Sequence, residues 1–246
     1  MKKTSLFKVS IATFSVVLFM SFTSTVQAKN DPTQEEIAIT EAVKIYPLNS
    51  AEHMNSAEKQ ANALTYKNMQ EAFKGETTAS AKYAAYSKKA EEEGYHEIAL
   101  MFKATSTSES IHANNHKVVL QAGSQTVPTV TPEFTVKSTL ENLKDALAGE
   151  TYEITTMYPE FIDNSVAAGN QSATISLTYA LKTEKKHKAL YENAIAALEN
   201  NKVNKSVASV YFVCPVCGNT YANATPENCE ISGTPSVLFK KIETLQ

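Results

Sequence analysis

The chain has 246 residues, with 26 acidic side chains against 23 basic ones, and every cation is Lys. Without an Arg fork to read base edges, and with a net acidic surface, sequence-specific recognition of nucleic acid is excluded. Beyond residue 28, no stretch is long and apolar enough to cross a membrane.

Residues 1–28 carry Lys2, Lys3 and Lys8, then an apolar run over 9–22, then small residues ending Val26-Gln27-Ala28. This is the pattern of a secretory signal peptide, so the protein is expected to be exported, to the periplasm or another extracytoplasmic space. The run is shorter than the roughly 20 residues needed to span hydrocarbon, and no Cys near the cleavage point offers a lipid anchor. Removing residues 1–28 leaves 20 Lys against 26 acids, a formal charge of −6 (20 − 26). Residues 29–55, polar and carrying Pro32 and Pro47, read as a leader arm with no assigned function.

Helical periodicity then runs over residues 56–200, with Ser56 as the expected first cap. The inward stripe of the first helix reads Met69, Ala72, Phe73, Glu76, Ala79, Tyr83, and that of the second Ile98, Phe102, Thr105, Glu109, His112, His116. The third reads Leu140, Leu143, Leu147, Glu150, Ile154, Met157, Phe161, with Glu153 beside Glu150. The fourth reads Leu177, Leu181, Glu184, His187, Tyr191, Ile195, Leu198. Gly94 marks the turn of one hairpin and Ala168-Gly169-Asn170 that of the other, while residues 121–138, with Pro128 and Pro132, form a long connection. Short links within pairs and a long one between them predict a mainly α fold, the ferritin-like four-helix bundle with a crossover.

A carboxylate interrupts each apolar stripe, and the interruptions are coordinated. Gly75-Glu76 precedes Glu109-x-x-His112 by 33 residues (76 to 109), and Gly149-Glu150 precedes Glu184-x-x-His187 by 34 (150 to 184). Residues three apart on a helix project from nearly one face, so each Glu/His pair can grip one ion, and the other two helices add a carboxylate each. A single Glu-x-x-His is a common accident, and Glu93-x-x-His96 is one: it straddles Gly94 and has no Gly-Glu partner upstream. Burying several unpaired carboxylates costs far more than the roughly 5–15 kcal/mol that keeps a domain folded, so a cationic partner is required.

Residues 201–209 are small and polar and read as a linker; residues 210–246 turn to strand and turn residues and hold all three cysteines. A segment this short needs a metal staple. Cys214-Pro215-Val216-Cys217-Gly218 has the form of a metal knuckle, and after eleven residues comes Cys229-Glu230-Ile231-Ser232-Gly233, with Ser232 where a fourth Cys would stand. The glycine after each half favours a metal, iron or structural zinc, with Ser232 as a hard and weak ligand. In an oxidising compartment the competing reading is a Cys214–Cys217 disulfide that leaves Cys229 free.

A Gly-Glu, Glu-x-x-His, Gly-Glu-x-x-Glu, Glu-x-x-His bundle followed by a Cys-x-x-Cys-Gly module resembles the rubrerythrin family over residues 56–242: ferritin-like di-iron proteins with a rubredoxin-like tail. The run Gly149-Glu150-Thr151-Tyr152-Glu153 followed by Met157-Tyr158-Pro159-Glu160-Phe161 is similar too. On that resemblance the third helix continues through Pro159. The resemblance implies two non-haem irons held by Glu76, Glu109, His112, Glu150, Glu153, Glu184 and His187. Glu109 and Glu184 would bridge or flank them, Glu76 and Glu150 would cap one each, and one iron would move between His112 and Glu153. Tyr83 and Tyr158 match tyrosines near the metals; His53, His96 and His116 have no counterpart, and His116 reads as a support for the ligands or a packed core residue.

The implied activity is reduction of hydrogen peroxide to water, with electrons fed from a tail iron, often across the interface of a homodimer. Ser232 departs from the four-cysteine pattern and changes that step. No dinucleotide-binding glycine loop is present, so export implies an extracytoplasmic electron donor. The alternatives are a ferritin-like ferroxidase that handles iron, and a non-enzymatic metal-binding partner protein.

Overall fold

The computed structural model describes residues 55–245; the signal-peptide and leader-arm expectations lie outside these residues. Helix α1 spans Ser56–Glu92 and α2 spans His96–Ala122. The cap of α1 is Asn55 and not Ser56: Asn55 accepts from the N–H groups of Ala57 and Glu58, and Glu58 accepts in return from the Asn55 N–H. That reciprocal bonding satisfies donors Ser56 would have left free. Gly94, at φ +83°, closes the hairpin in a conformation that favours glycine.

After the crossover, Ser138 caps α3 (Thr139–Tyr152) with Glu141 in a second capping box. The chain then widens into a π-helical turn, Glu153–Met157, and resumes as α4, Tyr158–Ala167. The helix does continue through Pro159, and the π turn is what lets it. Pro159 has no N–H and its ring would press on the carbonyl four residues back, which the wider turn relieves. The extra residue shifts the inward phase by one, so Tyr158 is fully buried and Met157 only partly, where a regular helix would have placed Met157 inward. Asn170 caps α5, Gln171–Glu199, which leads to a single turn α6, Val203–Ser206.

The tail adds β1 (Tyr211–Val213), β2 (Thr220–Ala222) and β3 (Lys240–Ile242), an antiparallel sheet in the order β2-β1-β3. Tyr211 is aligned with Ala222 on one side and Ile242 on the other. The architecture is a ferritin-like helical bundle with a small β module. The tail does not stand apart. Val203, Val207, Ala208, Tyr211, Val213 and Ile242 belong to the same apolar cluster as Tyr83, Phe102, Leu143 and Tyr191 of the bundle. A second cluster, with Met69, Leu120, Tyr158 and Leu177, fills the other end. The interrupting carboxylates and histidines form a polar layer between the two. No described helix is long and apolar enough to cross a membrane.

Candidate metal centre

Six of the predicted side chains meet in this layer: Glu76 from α1, Glu109 and His112 from α2, Glu150 from α3, Glu184 and His187 from α5, each at most 1% exposed. They form two overlapping groups, one of Glu76, Glu109, His112 and Glu184, the other of Glu109, Glu150, Glu184 and His187. Within each group the ligand atoms lie within 4.8 Å of one another. Glu109 and Glu184 belong to both. Glu109 places Oε2 2.9 Å from His112 Nδ1 and Oε1 3.0 Å from His187 Nδ1; Glu184 places Oε1 2.9 Å from His112 Nδ1 and Oε2 2.8 Å from His187 Nδ1. Glu76 Oε1 stands 3.5 Å from His112 Nδ1, and Glu150 Oε1 3.8 Å from His187 Nδ1.

These short separations are not hydrogen bonds. Both oxygens of Glu109 and of Glu184, Oε2 of Glu76 and of Glu150, and Nδ1 of both histidines are buried with no directed partner. Buried polar atoms left this way are costly, and lone pairs that converge without pointing at each other define a shared cation position. The donor set, carboxylate oxygen with imidazole nitrogen, suits divalent iron. The residues therefore fit a dinuclear metal site.

The outer nitrogens of the histidines fix which atom faces inward. His112 Nε2 lies 3.1 Å from the Cys217 carbonyl, which can only accept, so Nε2 carries the proton and Nδ1 offers its lone pair. His187 Nε2 lies 3.1 Å from Thr220 Oγ1, whose own proton goes to the Gly218 carbonyl, giving the same polarity. Burial, then the charge of Glu109, pushes the Glu76 carboxyl up to about 8, and burial with Glu184 and Glu109 pushes Glu150 well above the usual range. Burial opposes charge on both imidazoles, but the facing carboxylates overcome it and hold His112 and His187 well above the ordinary value. Glu109, buried yet flanked by His187 and His112, is held at about 2.

Glu153, the seventh predicted ligand, joins neither group. It opens the π turn, and burial together with the field of Glu76 and Glu150 pushes its carboxyl up. Tyr83 donates to Glu150 Oε1 at 3.0 Å, and Tyr158 donates to Glu76 Oε1. His96 pairs with Glu91 at the surface, and Glu93 accepts from the Thr139 N–H, so Glu93-x-x-His96 is structural; His53 lies outside the described residues.

In the tail, Cys214, Cys217 and Cys229 are free thiols gathered into one group, so the disulfide reading does not hold. Two like turns build the site. The Gly218 N–H reaches the Cys214 carbonyl at 2.9 Å and the Gly233 N–H the Cys229 carbonyl at 2.8 Å, with φ +78° and +75°. Ser232 Oγ lies 3.3 Å from Cys214 Sγ, and Cys217 Sγ lies 3.4 Å from Cys229 Sγ, so the hydroxyl stands where a fourth sulfur would. Hydrogen bonds from Cys214, Cys217 and Ser232 depress Cys229, while those of Cys214 and Cys229 push Cys217 up.

Spacing did not reveal what joins the two sites. Ser108 donates to the Gly218 carbonyl at 2.7 Å, Thr183 to the Cys217 carbonyl at 3.1 Å, and Asn115 to the Val216 carbonyl at 2.9 Å. Ser108 and Thr183 each immediately precede an inward Glu, and that repetition was the available signal. The knuckle of the chain thus sits directly on the histidines of its own bundle.

Residues 67–195 match the family model described as Rubrerythrin. The chain is 34% identical to Rubrerythrin-2 of Clostridium acetobutylicum over 181 residues, covering 73% of this chain and 97% of that protein. It is 33% identical to Nigerythrin of Nitratidesulfovibrio vulgaris over 190 residues, covering 76% and 91%. The solved structure titled "Fully reduced state of nigerythrin (all ferrous)" aligns with TM-score 0.65 at 32% identity, over 72% of this chain and 86% of that one. Ligand geometry, family model and relatives agree: the chain belongs to the rubrerythrin family of di-iron proteins.

Proposed function

We propose that the protein reduces hydrogen peroxide to water at its di-iron centre, outside the cytoplasm. The observation that carries this reading is the sharing of Glu109 and Glu184 between both histidines, which brings two metal positions within reach of one small substrate. The reaction consumes one peroxide, two electrons and two protons and yields two waters. Iron bound there in the ferrous state would provide both electrons at one place, the chemistry needed to break an O–O bond without release of a radical.

The chain's own residues do the rest. Glu109 and Glu184 would be shared by the two irons, Glu76 and Glu150 would each serve one of them, and His112 and His187 would present Nδ1. Tyr158 and Tyr83 each occupy one oxygen of an end carboxylate and leave the other for metal. Two apolar clusters flank the layer and exclude bulk water. Glu153, which belongs to neither ligand group, would be the carboxylate that exchanges places with His112, as the resemblance implies.

The tail is the inlet for electrons. Its Cys217 carbonyl touches His112 and its Gly218 carbonyl reaches His187 through Thr220, a contact of two hydrogen bonds or fewer. Contact between tail and centre is made within one chain, so the homodimer implied by the resemblance is not required for it. The donor upstream is an extracytoplasmic electron carrier, consistent with the signal-like residues 1–28.

Ser232 favours a second reading, oxidation and handling of ferrous iron, because an oxygen ligand alters the potential and lowers the stability of a tail iron. Anaerobic reduction, a peroxide pulse and an added reductant separate the two. Many peroxides consumed per iron pair is the expected result. One oxidation per pair with no re-reduction contradicts the peroxidase and supports iron handling.

A further inference from the structure

The three sulfurs of the tail are not equivalent. Cys214 Sγ meets Ser232 Oγ and Cys217 Sγ meets Cys229 Sγ, side chains of the site itself. Cys229 Sγ also meets two side chains from outside it, the Tyr221 hydroxyl at 3.5 Å and Asn219 Nδ2 at 3.9 Å. Both come from the stretch where the knuckle leads into β2. Alternation along that strand sends Thr220 to His187 of the bundle and its neighbour Tyr221 the other way, to the sulfur. The Tyr221 ring is stacked on Phe239, centroids 5.4 Å apart, and packs with it against the three cysteines.

The polarity of the contact is fixed by what surrounds the phenol. Asn219 Nδ2 donates to the Tyr221 oxygen at 2.7 Å, and the Glu230 N–H donates to it at 3.3 Å. With two donors already aimed at that oxygen, its single proton has one acceptor left, Cys229 Sγ. Asn219 is fully buried, and its amide turns nitrogen toward the sulfur because oxygen there would set its lone pairs against those of a thiolate. Glu230 directly follows Cys229, so the phenol is tied both to the sulfur and to the backbone beside it.

A donor on a metal-bound thiolate draws negative charge from the sulfur, which favours the metal in its more reduced state. A hard oxygen ligand such as Ser232 favours the more highly charged ion. The two effects oppose one another within one site.

We propose that Tyr221, held in place by Asn219, is a positioning residue for electron entry: acting through Cys229, its phenol proton offsets Ser232 and keeps iron in the tail reducible. This rests on the reading of the tail as an iron-holding inlet for electrons. A tyrosine that only filled the space beside Phe239 could be exchanged for Phe with no effect on a potential.

The test is a redox titration of the full chain after reconstitution with iron. It follows the electron paramagnetic resonance of mononuclear high-spin ferric iron, a signal that a coupled ferric pair in the bundle does not give. Tyr221→Phe, which keeps the ring and its stack, should make the tail iron about tenfold harder to reduce, a fall of about 59 mV for one electron. Asn219→Ala, which frees the phenol to turn away, should lower the potential by a smaller amount, and serves if Tyr221→Phe does not fold. In a Ser232→Cys background the starting potential should be higher, and Tyr221→Phe should still lower it, since the phenol acts at Cys229. An unchanged or higher potential in Tyr221→Phe or in Asn219→Ala would overturn the proposal. Absence of the mononuclear ferric signal from the unaltered protein would instead sink the reading of the tail as an iron site, and this inference with it.

Discussion

The six converging side chains owe their arrangement to what each lacks. Glu76 and Glu150 are buried carboxyls with one oxygen unpartnered, and His112 and His187 are imidazoles pulled toward charge chiefly by Glu184 and Glu109. Metal removal therefore has a definite pH signature. With Glu76 raised to about 8 and Glu150, Glu153, His112 and His187 also raised, the folded metal-free chain holds protons that the unfolded chain releases. Stability so gained is present at low pH and is lost as pH rises through the folded values, each tenfold difference in proton affinity being worth about 1.4 kcal/mol. Above pH ~6.5, the ordinary histidine value, His116 is neutral in both states and does not oppose the trend. Urea midpoints of metal-free protein should fall between pH 6.5 and 8, while those of iron-loaded protein should hold steady. A metal-free midpoint that rises over that interval would contradict these environments.

At the scale of elements, the four stripes, both hairpin turns and the crossover were legible because an inward Glu or His is visible against Leu, Phe and Met at helical spacing. The π turn was not. A widened turn leaves the composition unchanged, and Pro159 admits either a break or a bulge, so the one-residue shift that buries Tyr158 in place of Met157 could be read only from the fold. The docking of the knuckle was equally hidden, since its acceptors are backbone carbonyls that carry no sequence signal. Gly218 is where that docking is tightest: a Cβ there would sit 2.6 Å from both His112 Nε2 and Ser108 Oγ, at a φ of +78°. Gly218→Ala should cost about 1–3 kcal/mol through strain and displacement of the knuckle from the bundle. The check is amide hydrogen exchange, which should speed up in β1 and β2 while the middle of α1 keeps its protection; unchanged exchange in the strands would show that the contact is looser than described.

Across the whole molecule, the tail is tied to its own bundle by shared core residues, by α6, and by the Lys186–Glu230 ion pair at 2.8 Å. Composition suggested a linker over 201–209, of which Val203, Val207 and Ala208 are buried in the bundle's own core cluster, and it could not say which bundle the tail would meet. Mixing 14N- and 15N-labelled chains, allowing exchange, and joining Lys186 to Glu230 with a zero-length carbodiimide should yield linked peptides of uniform isotope only. Linked pairs of mixed isotope would place the tail on a second copy.

The proposed activity requires these helices to hold two iron atoms through shared Glu109 and Glu184, with Glu76 serving one of them. Iron analysis after anaerobic ferrous reconstitution, with the tail contribution removed by Cys217→Ala, tests it most directly. About two irons per chain are expected, falling to about one in Glu76→Ala and toward none in Glu109→Ala. Fewer than one iron in the unaltered bundle, or equal losses from the two glutamate variants, would contradict the account.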